Sequence, residues 1–165
     1  MKKTLEQISK LAIQQERDSF IPEQIDSNWI GFLPCEIGKI EQKEKELNLT
    51  LPSDYKEFLK ITNGFCAATH VQCFIQPIEQ IGLAVEINPD FFKFWANANE
   101  EISEQLNCAI LISEKFDDQY FLLIPPTNKN ADWEYWEFAN WIPGEEKYTN
   151  LQEYFNTIVE ILQEE

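Results

Sequence analysis

His70 is the one histidine in the chain, and Cys66 and Cys73 lie close on either side of it. With Cys35 or Cys108 as a fourth ligand, Cys66-x3-His70-x2-Cys73 would have the donor set of a tetrahedral Cys3His zinc site. The spacing is not that of a zinc knuckle, and the segment reads as a turn entering a strand. The four cysteines are therefore expected to be reduced, partly buried thiols, with no metal and no cofactor. A single histidine excludes a site with two histidine ligands and the His-Glu-x-x-His helix of zinc proteases. Any Ser-His-Asp or Cys-His pairing would have to use His70. Neither G-x-x-x-x-G-K nor G-x-G-x-x-G occurs. No catalytic residue is assigned, and the chain is expected not to be an enzyme.

Two acidic groupings remain. Asp117 and Asp118 close the polar run Glu114 to Asp118. Paired carboxylates can act as acid and base or bind Mg2+. At the tip of a hairpin they are better read as solvated, and as a partner contact, since loop tips often carry recognition. The run Trp133-Glu134-Tyr135-Trp136-Glu137-Phe138 reads as a strand. Alternation puts Trp133, Tyr135 and Glu137 on one face and Glu134, Trp136 and Phe138 on the other. With two aromatics per face, either both faces are covered or one presents an aromatic patch with carboxylates in it. On the second reading Asp117, Asp118, Glu134, Trp136 and Glu137 are the candidate partner-binding residues. Aromatics would anchor the contact and acids would speed the approach of a basic partner.

The charge balance bears on what that partner is. Thirteen Lys and Arg oppose 29 Asp and Glu in 165 residues, a net charge of −16. Nucleic acid and anionic membrane surfaces would be repelled. A basic protein would be steered toward the chain. No apolar stretch is long enough to span a membrane. Met1-Lys2-Lys3 resembles the start of a signal peptide, but Glu6, Gln7, Ser9 and Lys10 interrupt the apolar region that should follow. The expected location is the cytoplasm, and the sequon Asn48-Leu49-Thr50 is read as a chance match.

These residues must be held by elements that the patterning outlines. Residues 4 to 17 form an amphipathic helix with Leu5, Ile8, Ala12 and Ile13 on one side. Phe20 to Pro34 reads as an irregular connection that packs Trp29, Phe32 and Leu33 on the core. A helix follows from about Glu36 to Leu47. Leu51-Pro52-Ser53-Asp54 opens another, with Tyr55, Phe58, Leu59 and Thr62 at helical spacing and Asn63-Gly64 as its end. Val71 to Ile75 and Ile78 to Ala84 read as strands. A helix from near Asn88 would carry Phe91, Phe94, Trp95, Ala98 and Ile102 on one face. Cys108 to Ser113 and Gln119 to Ile124 read as a hairpin. Asn150, with Glu153 three residues on, caps a last helix with the stripe Leu151, Tyr154, Phe155, Ile158 and Leu162. The order predicts an α+β fold, a mostly antiparallel sheet with helices packed on one face. Residues 1–35 would be a helix and connection packed on the core of a domain spanning 36–165, as one compact unit.

The segment Ile40-Glu41, Glu44, Leu47, then Leu51-Pro52-Ser53-Asp54-Tyr55-Lys56-Glu57-Phe58-Leu59 and Asn63-Gly64 resembles the signature of the SUKH superfamily. That superfamily includes Smi/Knr-type regulators and immunity proteins of bacterial toxin systems. Its pattern is a glutamate-rich helix, a short link, Leu-Pro-x-x-Tyr, Phe-Leu and Asn-Gly. The matching residues Leu51, Pro52, Tyr55, Phe58, Leu59, Asn63 and Gly64 are a structural signature and supply no active site. Many members have a Gly- and Asp-rich turn in the later hairpin, where this chain has Ser113 to Asp118 without glycine. The resemblance implies an immunity protein that neutralises a cognate polymorphic or contact-dependent toxin, a basic nuclease being one candidate. The alternatives are a Smi/Knr-type scaffold and a small-ligand binder with a pocket lined by Trp95, Trp133, Tyr135 or Trp141.

Overall fold

The computed structural model describes residues 1–70, 72–98, 100–114, 119–128 and 131–164. Helix α1 (Lys2–Gln15) buries Leu5, Ile8, Ala12 and Ile13, the stripe its spacing predicts. A short helix α2 (Pro22–Ser27) follows, and then α3 (Ile37–Leu47) and α4 (Ser53–Ile61). Helices α2 and α3 both end on an asparagine in the left-handed region, Asn28 and Asn48. Beyond them come β1 (Gly82–Leu83), α5 (Ala84–Ile87), α6 (Pro89–Ala98) and α7 (Ser103–Cys108). Strands β2 (Ile110–Leu111), β3 (Gln119–Ile124), β4 (Glu134–Ala139) and β5 (Glu146–Tyr148) lead to α8 (Leu151–Glu164).

The five strands form an antiparallel sheet in sequence order. Strand β3 is buried along its whole length, and period-2 alternation divides its side chains between two cores. Phe121 and Leu123 join Tyr135 of β4 in the larger core, under α1, α4 and α8. Tyr120, Leu122 and Ile124 join Trp136 and Phe138 in the smaller one, under α5, α6 and α7. The α+β class and the antiparallel sheet are as expected. Helices were expected on one face, and α5 to α7 add a second layer on the other.

Several elements differ from their expected form. Of the expected strand Val71 to Ile75, Val71 lies outside the described residues and Ile75 makes only isolated bridges, to Phe65 and Ser113, while of Ile78 to Ala84 only Gly82–Leu83 is strand. Pro77 removes a donor there, and Gln72 and Asn63 satisfy the backbone locally, through Ala68 N–H at 2.8 Å and Ile78 N–H at 2.9 Å. Cys108 ends a helix and does not begin a strand. The helix begun at Pro89 stops at Ala98, so Ile102 belongs to the start of α7. Phe92, not Phe94, is the α6 residue turned fully into the core. With aromatics at 91, 92, 94 and 95, helical spacing alone leaves the inward side undecided.

Helix α8 starts as its sequence predicts: Glu153 N–H donates to Asn150 Oδ1 at 2.9 Å, and Glu153 Oε2 accepts from Thr149 N–H at 2.7 Å. Gln15 Nε2 donates to Leu162 O and Gln152 Nε2 to Thr4 Oγ1, both at 2.8 Å, tying α1 to α8. No helix among the described residues is long and apolar enough to cross a membrane.

Candidate partner-binding surface

The signature residues sit in the larger core and its joints. Leu51, Tyr55, Phe58 and Leu59 are buried. Phe58 stacks on Phe155 of α8 with ring centroids 5.7 Å apart. Glu44 of α3 accepts Leu51 N–H at 2.9 Å and the Lys56 ammonium at 3.0 Å, so the glutamate-rich helix fixes the link to α4. Pro52 stands just before the first helical residue, as the N-cap.

Asp54 does more than complement its own helix start. Its Oδ1 accepts the Tyr135 hydroxyl and its Oδ2 accepts Leu151 N–H, each at 2.9 Å. One carboxylate thus joins α4 to β4 and caps α8, where the helix dipole favours negative charge. Asn63 Oδ1 accepts Ile78 N–H, while its Nδ2 donates to Glu79 at 2.9 Å. Glu79 also takes Lys39 at 2.6 Å. Lys39 and Asn63 together draw its carboxyl down to about 2. Gly64 does not cap α4, whose cap is Thr62 in an extended conformation. Its φ of +109° serves the turn beyond, where a Cβ would stand 2.9 Å from the Ile75 carbonyl oxygen.

The predicted partner residues divide. Asp117 and Asp118 lie outside the described residues. Trp136 and Glu137 are buried, so neither offers a surface to a partner in this structure. Trp136 belongs to the smaller core, with Lys147 of β5 over its ring at 4.2 Å. The Glu137 carboxylate accepts Gln119 Nε2 at 2.7 Å and the Tyr148 hydroxyl at 3.2 Å. Burial pushes this carboxyl up, and the two donors offset that only in part. Glu134 is exposed, and its carboxylate accepts the Trp136 indole N–H at 2.7 Å. Of the two readings of the strand, the structure favours the one in which both faces are covered.

His70 is exposed, Cys73 is buried, and the Cys66 sulfur accepts Gln24 Nε2 at 3.2 Å. Among the described residues, no three His, Cys, Asp or Glu side chains gather as a metal-binding group. Burial raises all four thiols, which lowers their reactivity as thiolates.

Two apolar surfaces escaped the sequence reading. One is a groove of about 610 Å³ running beside α2 and the chain after it, lined by Ile21, Trp29, Phe32, Leu33 and Ile61. Phe32 and Leu33 were expected to pack on the core; Leu33 is 84% exposed. The other is a cleft of about 90 Å³ between α6 and the turn joining β4 to β5. Phe91, Trp95, Tyr120, Phe138 and Ile142 line it. Phe94, 69% exposed, projects from the same turns of α6, and Trp141, 51% exposed, stands between two residues of the β4–β5 turn that line the cleft.

Charge is divided unevenly along the chain. Residues 1–64 hold nine Lys and Arg and eleven Asp and Glu, a net −2. Residues 65–165 hold four and eighteen, a net −14. The second half contains α5 to α7 and the β4–β5 turn. A running count along the sequence would have exposed this asymmetry.

Residues 34–164 match the profile of the SMI1 / KNR4 family (SUKH-1). The larger groove is built almost wholly by residues that precede this segment, and the aromatic cleft lies inside it. No curated protein matches the chain.

Proposed function

The chain belongs to the SMI1 / KNR4 family (SUKH-1), and from that premise we propose that it is an immunity protein of the cytoplasm, which binds a cognate polymorphic or contact-dependent toxin and neutralises it by occupying it. The observation that carries this reading within the family is the charge, −16 overall with −14 in residues 65–165. A field of that sign speeds encounter with a basic partner and repels nucleic acid and anionic lipid. A toxin that cuts nucleic acid needs a basic surface to hold its substrate. An acidic protein seated on that surface takes the place of the phosphate chain. On this reading the protein performs no chemistry of its own, in keeping with thiols raised by burial and a solitary exposed histidine.

The test is co-expression with the toxin domain encoded beside this gene. Rescue of growth and a stable complex on gel filtration are expected. Continued toxicity with no complex would remove the immunity reading.

A further inference from the structure

We propose that the cleft between α6 and the β4–β5 turn, together with the exposed Phe94 of α6 and Trp141 of that turn, receives an apolar side chain carried on a basic segment of the toxin. The inference rests on the neutralisation reading and locates its surface.

The cleft is held by the fold. Asn88 Nδ2 donates to the Tyr120 hydroxyl at 2.9 Å and so fixes the start of α6 over β3. Phe91 lies on Tyr120 with ring centroids 4.5 Å apart, and Trp95 meets Phe138 edge-on at 5.5 Å. On the other side Ile142 N–H donates to Ala139 O at 2.9 Å, and Gly144, with φ +97°, lets the turn fold back toward β5. The walls are therefore set before any partner arrives, which lowers the cost of ordering them on binding. Phe94, on the same helix, and Trp141, in the same turn, add apolar area that the chain itself leaves in water.

The surroundings specify the occupant. Glu86 and Asp90 stand exposed just before the aromatics of α6, and Glu100, Glu101 and Glu104 just after them. Glu146 is exposed beyond Gly144. The described bases of this half are Lys93 and Lys147. Lys147 is engaged by Glu145 at 3.2 Å and by the Trp136 ring. An aromatic cleft whose flanking segments carry exposed carboxylates suits a partner that presents an apolar side chain among lysines and arginines. The near-neutral groove beside Leu33 has no such complement.

The experiment uses the full chain and a catalytically inactivated form of the toxin domain encoded beside the gene. Phe94→Ala and Trp141→Ala should each weaken the complex by about ten-fold or more. Because both side chains are exposed, unchanged circular dichroism and unfolding would show that the variants fold. The double variant Glu86→Lys/Asp90→Lys should slow association several-fold at low salt and leave dissociation nearly unchanged. Phe32→Ala/Leu33→Ala should bind as the parent does. If the parent binds and the aromatic variants bind equally well, the cleft is overturned while neutralisation stands. The cleft is likewise overturned if the Phe32/Leu33 variant alone loses binding. If the chain by itself sediments as a dimer that Phe94→Ala dissociates, the occupant is a second copy and the proposal fails. If the parent forms no complex, the neutralisation reading falls and the cleft assignment with it.

Discussion

On one face of the sheet Phe121 meets Tyr135 and Tyr154 of α8, and Phe155, beside Tyr154, continues the contact to Phe58 and Phe65. On the other, Tyr120 and Phe138 meet Phe91, Phe92 and Trp95 of α6. Both layers are aromatic, but their edges differ. The first is tied by side-chain acceptors: Asp54, Glu44, Asn63 and Glu137 each bind specific donors inside or beside the core. The second leaves Phe94 and Trp141 in solvent. On the proposed reading, scaffold and function separate along the same line. A layer tied by specific internal hydrogen bonds holds the fold, and a layer with exposed aromatics has surface available to a partner.

Disrupting the first layer should have the largest effect. Phe58→Ala removes a buried ring and should cost about 3–5 kcal/mol, read from the urea unfolding midpoint. Asp54→Ala leaves the buried Tyr135 hydroxyl without its acceptor and uncaps α8, for about 2–3 kcal/mol by the same measurement. If Asp54→Ala were as mild as an exposed substitution, the structural account of the signature would fail.

Two carboxyls at the joints titrate with opposite signs. Burial raises the Glu137 carboxyl above the ordinary value of 4.5. The folded state then binds that proton more tightly than the unfolded chain. This contribution to stability is whole below pH 4.5 and is lost as pH rises through the folded value. For Glu79 the stabilisation is present above pH 4.5 and is lost as pH falls toward about 2. In Tm profiles, Glu137→Gln should flatten the decline on the alkaline side and Glu79→Gln the decline on the acid side. Exchanged or absent effects would show that burial of Glu137 and the hydrogen bonds of Glu79 do not govern their ionisation.

The smallest effect on stability belongs to the second layer's rim. Phe94→Ala and Trp141→Ala should change unfolding free energy by no more than about 0.5 kcal/mol, although on the proposed reading they weaken partner binding. A large loss of stability in either would mean that these side chains hold the fold after all.

Much of the scaffold was legible in the sequence because it rests on local periodicity. The stripes of α1, α4 and α8 and the Asn150–Glu153 cap follow from spacing alone. Helix α2 was missed because it is short and carries one large apolar residue beyond its first position, Ile25. Strand β5 was missed because Glu146-Lys147-Tyr148 has no apolar alternation of its own and exists by pairing with β4. The segment around Phe65 and Ile75 has the residues of strands, but its backbone groups are satisfied by side chains and single bridges.

The surface was less legible. Alternation correctly divided Trp133 to Phe138 between two faces, and it could not say whether the second face meets water or another helical layer. Composition and local pattern were enough for the α+β class, the signature helix with its partners, the net charge and the scarcity of catalytic groups. These are properties of residues and their neighbours along the chain. Three facts came only with the folded chain: Trp136 and Glu137 lie inside, Asp54 caps a helix 97 residues away, and Phe94 and Trp141 stand in solvent. Burial is set by which elements meet across the fold, and a side chain's own pattern carries no record of what packs against it.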